Sequence, residues 1–464
     1  MAIALAKNQS NWIKWALALI LPLIVWLIPT SEIFSAELRM FFVITLFAII
    51  LMALELVPVV ISSVLLGTLY LVSGIVPAST AFASWTNTTV WMVFGGLIFS
   101  TMLEQCGLLK RIAYFIIEKC GGTFNGAVFG VFLVGIVLNI ITFCNGWIVS
   151  CVLVYGVCKA MNLEKSKQAA LVCFAGAIGS NGSVIYLYHP GFVNLQQGAL
   201  QQFLSPDYTM SFFTPFKYIG WAVPCCLLTI FIFMKVYKTG NMNAQFNKQV
   251  FRDKLKELGA ISSKEKVAIV FIVVLLVYLI SCQFTKWPAA YGFMIIPYLM
   301  FLPGIDLGNA ETIKKTNLGN IFFISACLGI GTVGAAVGFG DFLTEVSLPI
   351  LAGKSKLVIC LFFMVIGVAA NLVMTPFAML GCLAIPFAQV ATSLGINPIA
   401  ACMILQYTID MVFFPYEASG NLIMYSYGVW PMKEFFVQNA VKTAINAVVF
   451  LAIMYPLWSL FGMV

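Results

Sequence analysis

The sequence predicts an all-α polytopic membrane protein of about 11 transmembrane helices, with two re-entrant hairpins and two broken helices in an inverted repeat. Three observations carry this. Of 464 residues, 62% are hydrophobic and 9% charged, against about a quarter charged in soluble domains. Apolar runs follow one another along the whole chain. Several of them are interrupted by polar stretches bearing Gly or Pro. Unwound backbone at membrane depth is tolerated only where it is buried in protein or lines a wet cavity.

The net charge of +8 speaks to topology. No basic, aromatic-interleaved surface suits nucleic acid. Thirteen cysteines, one histidine and no CxxC pair argue against resident metal and against a disulfide framework. Cys144, Cys151 and Cys158 fall seven apart, on one helical face, and read as small packing residues between membrane helices.

Lys7 and Lys14 precede an apolar run at 15–29. No small-residue cleavage site follows, so it is expected to persist as the first helix. Runs at 40–53 and 57–76 complete N-terminal scaffold helices at 1–87, with Glu55 in a turn between them. The first repeat is expected at 88–234 and opens with one long span at 88–118. The runs 123–143 and 147–161 are joined only by Cys144-Asn145-Gly146, too short for an aqueous loop between full spans. Residues 123–161 therefore read as a re-entrant hairpin. The runs 166–180 and 192–205 flank Ser180, Asn181, Gly182, Ser183 and His189-Pro190-Gly191. Pro and Gly free a chain from helical dihedrals, so 166–205 reads as a broken helix. A span at 215–234 closes this half.

Residues 235–266 are rich in Lys and Arg. By the positive-inside rule they form a cytoplasmic loop, read as a connector. Scaffold helices of the second half follow at 267–318, then a second repeat at 319–464. That repeat opens with a span at 319–345 and continues with a hairpin at 357–391, flanking Asn371 to Phe377. A broken helix at 398–430 is interrupted by Phe414-Pro-Tyr-Glu-Ala-Ser-Gly-Asn421. Lys433, Glu434 and Lys442 mark a polar turn before the last span, 443–462.

The halves repeat in spacing. Leu97 to Gly107 and Leu328 to Gly338 are both ten apart; Asn145 to Asn194 is 49 and Asn371 to Asn421 is 50. With the N-terminus and the inter-half loop both cytoplasmic, five crossings after the loop put the C-terminus outside and invert the repeats. The setting expected is a cell membrane, plasma or inner.

In an inverted-repeat transporter, substrate and ions sit where the broken helices meet. Helix N-termini offer N–H groups and positive dipole to anions. Helix C-termini and unwound carbonyls offer oxygen to cations. Asn145 and Asn421 present both donor and acceptor; they either meet ligand or cap helix tips.

The residues resemble a known family, the divalent anion/sodium symporters (INDY-like and CitT-like carboxylate transporters of the ion transporter superfamily). Phe94 to Leu108 looks like the family's fourth helix. Phe414 to Asn421 resembles its second TPPN-type break, keeping Pro415 and Asn421, and His189-Pro190-Gly191 resembles the first. Cys144-Asn145-Gly146 sits where a hairpin-tip SNT motif is expected. The resemblance implies a homodimer in a lipid bilayer, an elevator-type transport domain, a small anionic substrate such as a di- or tricarboxylate, and coupling sodium beside the tips.

The departures fall on the site. At the first tip Cys144 and Gly146 replace Ser and Thr. At the second, the resemblance favours Thr375-Pro376-Phe377, whereas the repeat spacing favours Asn371. In the second break Ala418, Ser419 and Gly420 replace Thr and two Pro, and His189 stands in the family's threonine position. Glu417 is added charge, and an intramembrane carboxylate is a functional hypothesis by default. Protonated, it can replace a coupling sodium, giving proton-coupled transport or exchange of a carboxylate or zwitterion. It can equally be a helix-end carboxylate that pairs with a lysine. Asp410, seven residues earlier, shares its helical face and is a second candidate on a proton path. His189 is a third, or else a satisfied hydrogen-bonder. Tyr186, Tyr188, Tyr416 and Tyr425 flank the breaks. A membrane-embedded enzyme would need a nucleophile–base pair or a metal cluster, and a channel a repeated filter; neither pattern is present.

Overall fold

A computed structural model describes residues 2–53, 56–120, 123–239, 248–285, 287–316, 318–372 and 374–464. Glu55 lies outside them. The described residues are helical, with no strand. The scaffold begins with α1 (Ala2–Trp26), α2 (Ala36–Ala53), α3 (Val59–Val72) and the short α4 (Ala78–Ala81). Then come α5 (Thr88–Gln105), α6 (Leu108–Cys120), α7 (Phe124–Thr142), α8 (Trp147–Ala160), α9 (Lys167–Ser180), α10 (Pro190–Phe203), α11 (Thr214–Ile219) and α12 (Ala222–Val236). The middle holds α13 (Lys248–Glu257), α14 (Ser263–Thr285), α15 (Ala289–Leu299) and α16 (Ala310–Lys315). The second repeat holds α17 (Gly319–Ala336), α18 (Phe339–Leu351), α19 (Lys356–Asn371), α20 (Pro376–Ser393), α21 (Pro398–Thr408), α22 (Ser419–Ser426), α23 (Met432–Val449) and α24 (Tyr455–Leu460).

Burial sorts these helices into rim and centre. α1 exposes Leu19, Ile20, Leu23 and Ile24, and α14 exposes Val270, Val273, Val274 and Val277. Such faces suit lipid. α9 buries every residue from Ala169 to Ser180, and α21 buries almost all of its length. Gly179 lies against the Phe132 backbone and Gly176 against the Val154 side chain, where a Cβ would overlap, as membrane packing favours. Five helices among the described residues are long and apolar enough to cross a membrane, and seven if each bent pair is one span. Two of these five, Phe124–Thr142 and Pro376–Ser393, are hairpin arms, and a third, Lys167–Phe203, runs through the first break; several other apolar helices counted from the sequence are shorter.

The span expected at 88–118 is two helices. α5 and α6 meet at 65°, with Gly107 at φ +85° between them. α17 and α18 meet at 69°, with Gly338 at φ +78°. Only Gly takes that conformation cheaply at a helix end, so the ten-residue spacing marked two matching bends. α6 buries Leu108, Leu109, Ala113 and Ile117 along one face. α13 packs against it. Arg111 joins Glu265 at 2.6 Å and donates to the carbonyls of Leu258, Gly259 and Ala260; Arg252 pairs with Glu118 at 3.1 Å. The 235–266 loop, read as a plain connector, thus contains a docked helix. Its residues 240–247 lie outside the description.

Both hairpins form, as α7–α8 and α19–α20. Each brings its first arm against the end of a broken helix through a Gly and an Asn four residues apart. Gly135 abuts the backbone of Gly179 and Ser180, and Gly367 abuts the side chain of Thr408; a Cβ at either would overlap. Asn139 donates to the carbonyl of Ser180, where α9 ends, and to Ser183 Oγ. Asn371 donates to the carbonyls of Thr408 and Ile409, at 3.4 and 3.2 Å, where α21 ends. These side chains replace intrahelical partners lost at a helix C-terminus. The equivalence drawn from the 49- and 50-residue spacings is therefore corrected. Asn371 matches Asn139, not Asn145, and the second tip lies after it, ending at Thr375. Asn194 and Asn421 are not equivalent either, being the fifth residue of α10 and the third of α22. The polar turn expected at Lys433–Lys442 is also corrected: these residues lie on α23, which buries Glu434 and Lys442.

Candidate functional site

Four helices begin around one cavity of about 720 Å³. α8 starts behind Cys144-Asn145-Gly146, α10 behind His189, α20 behind Thr375 and α22 behind Ala418. Cys144, Asn145, His189, Pro190, Thr375, Pro376, Phe377, Ala418, Ser419, Gly420 and Asn421 line it. Every one of these N-termini brings about +0.5 elementary charge of dipole. α10 and α20 are capped by their own side chains: His189 Nδ1 accepts from Gly191 and Phe192 N–H at 3.1 and 3.4 Å, and Thr375 Oγ1 from Ala378 N–H at 3.4 Å. The first N–H groups of α8 and α22 have no side-chain cap among the described residues.

The first tip is held in an unusual backbone. Phe143 and Cys144 take φ +52° and +67° in succession, the left-handed region that disfavours residues with a Cβ. Phe143 is wedged edge-on against Phe293 at 4.8 Å, which fixes the turn. Asn145 Nδ2 donates to the carbonyls of Thr142 and Phe143 at 3.1 and 3.2 Å, and Ser100 Oγ donates to the Asn145 carbonyl at 3.3 Å.

The two breaks cross each other at the back of the cavity. Asn181 Nδ2 donates to Asn421 Oδ1 at 2.9 Å, and Gly420 lies against Asn181 so closely that a Cβ there would overlap. Asp410 faces Gly182, where a Cβ would stand 2.8 Å from Oδ1. Gln406 joins Gln196 and the Ile185 carbonyl, both at 2.6 Å. Lys442 Nζ reaches Asp410 Oδ1 at 2.6 Å, and both line the cavity. The sequence reading missed Lys442. The signal was Asp410 itself, since a carboxylate among apolar helices needs a partner.

Other expected site residues hold the frame. Gly146 is the N-cap of α8. Ser180 Oγ donates to Gly176 O, and Ser183 Oγ to Ser180 O. Asn371 clamps α21. None of these appears in the cavity wall, and neither does Glu417. Glu417 Oε1 accepts from Phe413 and Phe414 N–H at 2.9 and 2.6 Å, while Oε2 is buried with no hydrogen bond among the described residues. Tyr186 and Tyr188 are buried outside the wall; the Tyr416 side chain lies outside the description. Cys151 and Cys158 are buried in packing, with Cys151 Sγ 3.5 Å from the Gly420 carbonyl. No group of three or more His, Cys, Asp or Glu suited to a metal occurs among the described residues.

Comparison with known proteins supplies the context. Residues 9–464 match the family described as the sodium:sulfate symporter transmembrane region. No curated protein matches significantly. Among solved structures, the chain is similar to the YdaH transporter of Alcanivorax borkumensis, whose crystal structure is described as revealing an unusual topology. The TM-score is 0.52 at 14% identity, over 97% of this chain and 98% of that one, a likeness of fold alone.

Proposed function

Since the chain belongs to the sodium:sulfate symporter transmembrane family, a family of secondary active anion transporters and not of enzymes, we propose that it carries a small organic di- or tricarboxylate across the membrane. The observation behind this is the convergence of four helix N-termini on one cavity, two of them uncapped. That arrangement favours anions. A cavity of about 720 Å³ is the size of an organic-ligand pocket, about 300–1,000 Å³, roomier than a bare sulfate needs. Asn181, Asn421, Ser419 and Thr375 place neutral polar groups around it. Coupling is to sodium, held near the tips at Asn145 and Thr375. The hairpins and broken helices move as one body past a scaffold of α1–α4 and α14–α15, by an elevator motion in a homodimer.

One observation favours a second reading. Glu417 carries a buried carboxylate oxygen with no hydrogen bond among the described residues, a position that suits a proton. Proton-coupled transport or exchange would then use Glu417, with Asp410 and His189 on the path.

Uptake into proteoliposomes distinguishes the two. Radiolabelled succinate, citrate and sulfate are each offered under an inward sodium gradient, then under a proton gradient. Carboxylate accumulation should collapse with a sodium ionophore. Collapse with a protonophore instead, together with a flat pH profile in Glu417→Gln, would replace sodium by the proton. Accumulation of sulfate alone would overturn the carboxylate assignment.

A further inference from the structure

The ion pair at the crossing of the two breaks has a chemistry of its own. Asp410 is 4% exposed and Lys442 1% exposed. Both face the cavity, and their charged atoms are 2.6 Å apart. Asp410 stands just beyond the C-terminus of α21. The carbonyls there already concentrate negative partial charge. A carboxylate added to a helix C-terminus makes a place for a cation.

The repeat makes that place one-sided. Asp410 lies two residues past Thr408, the last of α21, and Gly182 lies two past Ser180, the last of α9. These equivalent positions touch across the crossing, and only one carries charge. Gly182 leaves the room for Asp410 that any larger residue would fill. A buried pair kept only for packing would not need this asymmetry, since a neutral residue would serve at 410 as one does at 182.

The groups around the pair can be named from each element packed on it. Asn446, one helical turn beyond Lys442 on α23, directs Nδ2 to the other Asp410 oxygen at 3.5 Å. Asn439 lines the cavity beside Lys442. Tyr407 spends its hydroxyl on the Asn446 carbonyl at 2.9 Å. Glu417 interacts electrostatically with Lys442, and Cys226 of α12 with both members of the pair.

We propose that Lys442 is a tethered cation. Its ammonium fills a monovalent-cation site formed by Asp410 and the end of α21, so this side of the cavity is charge-balanced without an ion from solution. Any coupling ion is then confined to the remaining tips. The proposal takes its purpose from the transport reading, but its test does not depend on it.

The test is thermal unfolding of the full chain in detergent, titrated with sodium, potassium or methylammonium chloride against choline chloride at constant ionic strength. The wild type gives the baseline, including ion sites elsewhere. Lys442→Ala empties the site. It should start several degrees lower and gain a rise with a small cation beyond that baseline, since a ligand that binds only the folded state stabilises it by mass action. Adding Asp410→Asn should remove the gain. If Lys442→Ala cannot be purified, Lys442→Gln, which keeps a donor to Asp410, enters the same titration. A variant that responds to cations no more than the wild type overturns the proposal. So does a gain that survives Asp410→Asn. Failed uptake of every anion would overturn the transport reading and leave this titration untouched.

Discussion

His189 was a candidate proton relay, and its geometry narrows what it can do. Nδ1 accepts two backbone N–H groups at the start of α10. The ring's proton therefore sits on Nε2 in the neutral form, and the imidazole lines the cavity as a donor. His189→Ala should lose the cap, about 1 kcal/mol, read as a lower unfolding midpoint. His189→Asn restores a side-chain cap and should recover that stability. Both should weaken the stabilisation given by succinate, because neither keeps Nε2–H. Full recovery of succinate binding in His189→Asn would reduce the residue to a cap. Single residues at the breaks were legible from the sequence because polar groups are rare at membrane depth. Their partners were not. Lys442 lies 32 residues after Asp410, on a different helix, and no local pattern links them.

Elements carry the repeat more faithfully than spacing does. The Gly–Asn pairs at Gly135/Asn139 and Gly367/Asn371 do one job twice: the Gly admits a helix end and the Asn takes its orphan carbonyl. The sequence reading found the first hairpin from its tripeptide joint and the second from the polar stretch Asn371 to Phe377; it matched Gly107 and Gly338 by spacing but read each bent pair as one span. It mispaired the asparagines because 49 and 50 residues agree by coincidence, whereas the meaningful interval, four residues within one arm, is too short to stand out. Gly367→Ala should cost about 1–3 kcal/mol by overpacking against Thr408, as a drop in unfolding midpoint. Gly156→Ala is the control. A Cβ there meets nothing within 4 Å, so this change should be neutral or slightly stabilising. Equal effects at both positions would mean that α21 is not seated on Gly367.

At the scale of the whole molecule, the rim and core are apolar and the polar groups gather at the cavity. The exposed aliphatic faces of α1 and α14 belong to lipid or to a second copy, and the homodimer proposed above uses the scaffold that carries them. Light scattering of the detergent-solubilised chain should return the protein mass of two chains; the mass of one would withdraw the dimer. Membrane class and helical content were plain from composition, since 9% charged residues cannot clothe a soluble surface. In the elevator motion proposed above, Asp410 and Lys442 would travel with the cavity that they line. Membrane voltage does about 2.3 kcal/mol of work on each elementary charge per 100 mV. A bare buried charge would make the return of the empty carrier depend on that voltage. A paired one moves as a neutral dipole, so the resting potential acts mainly on whatever charge the cargo and its companions bring.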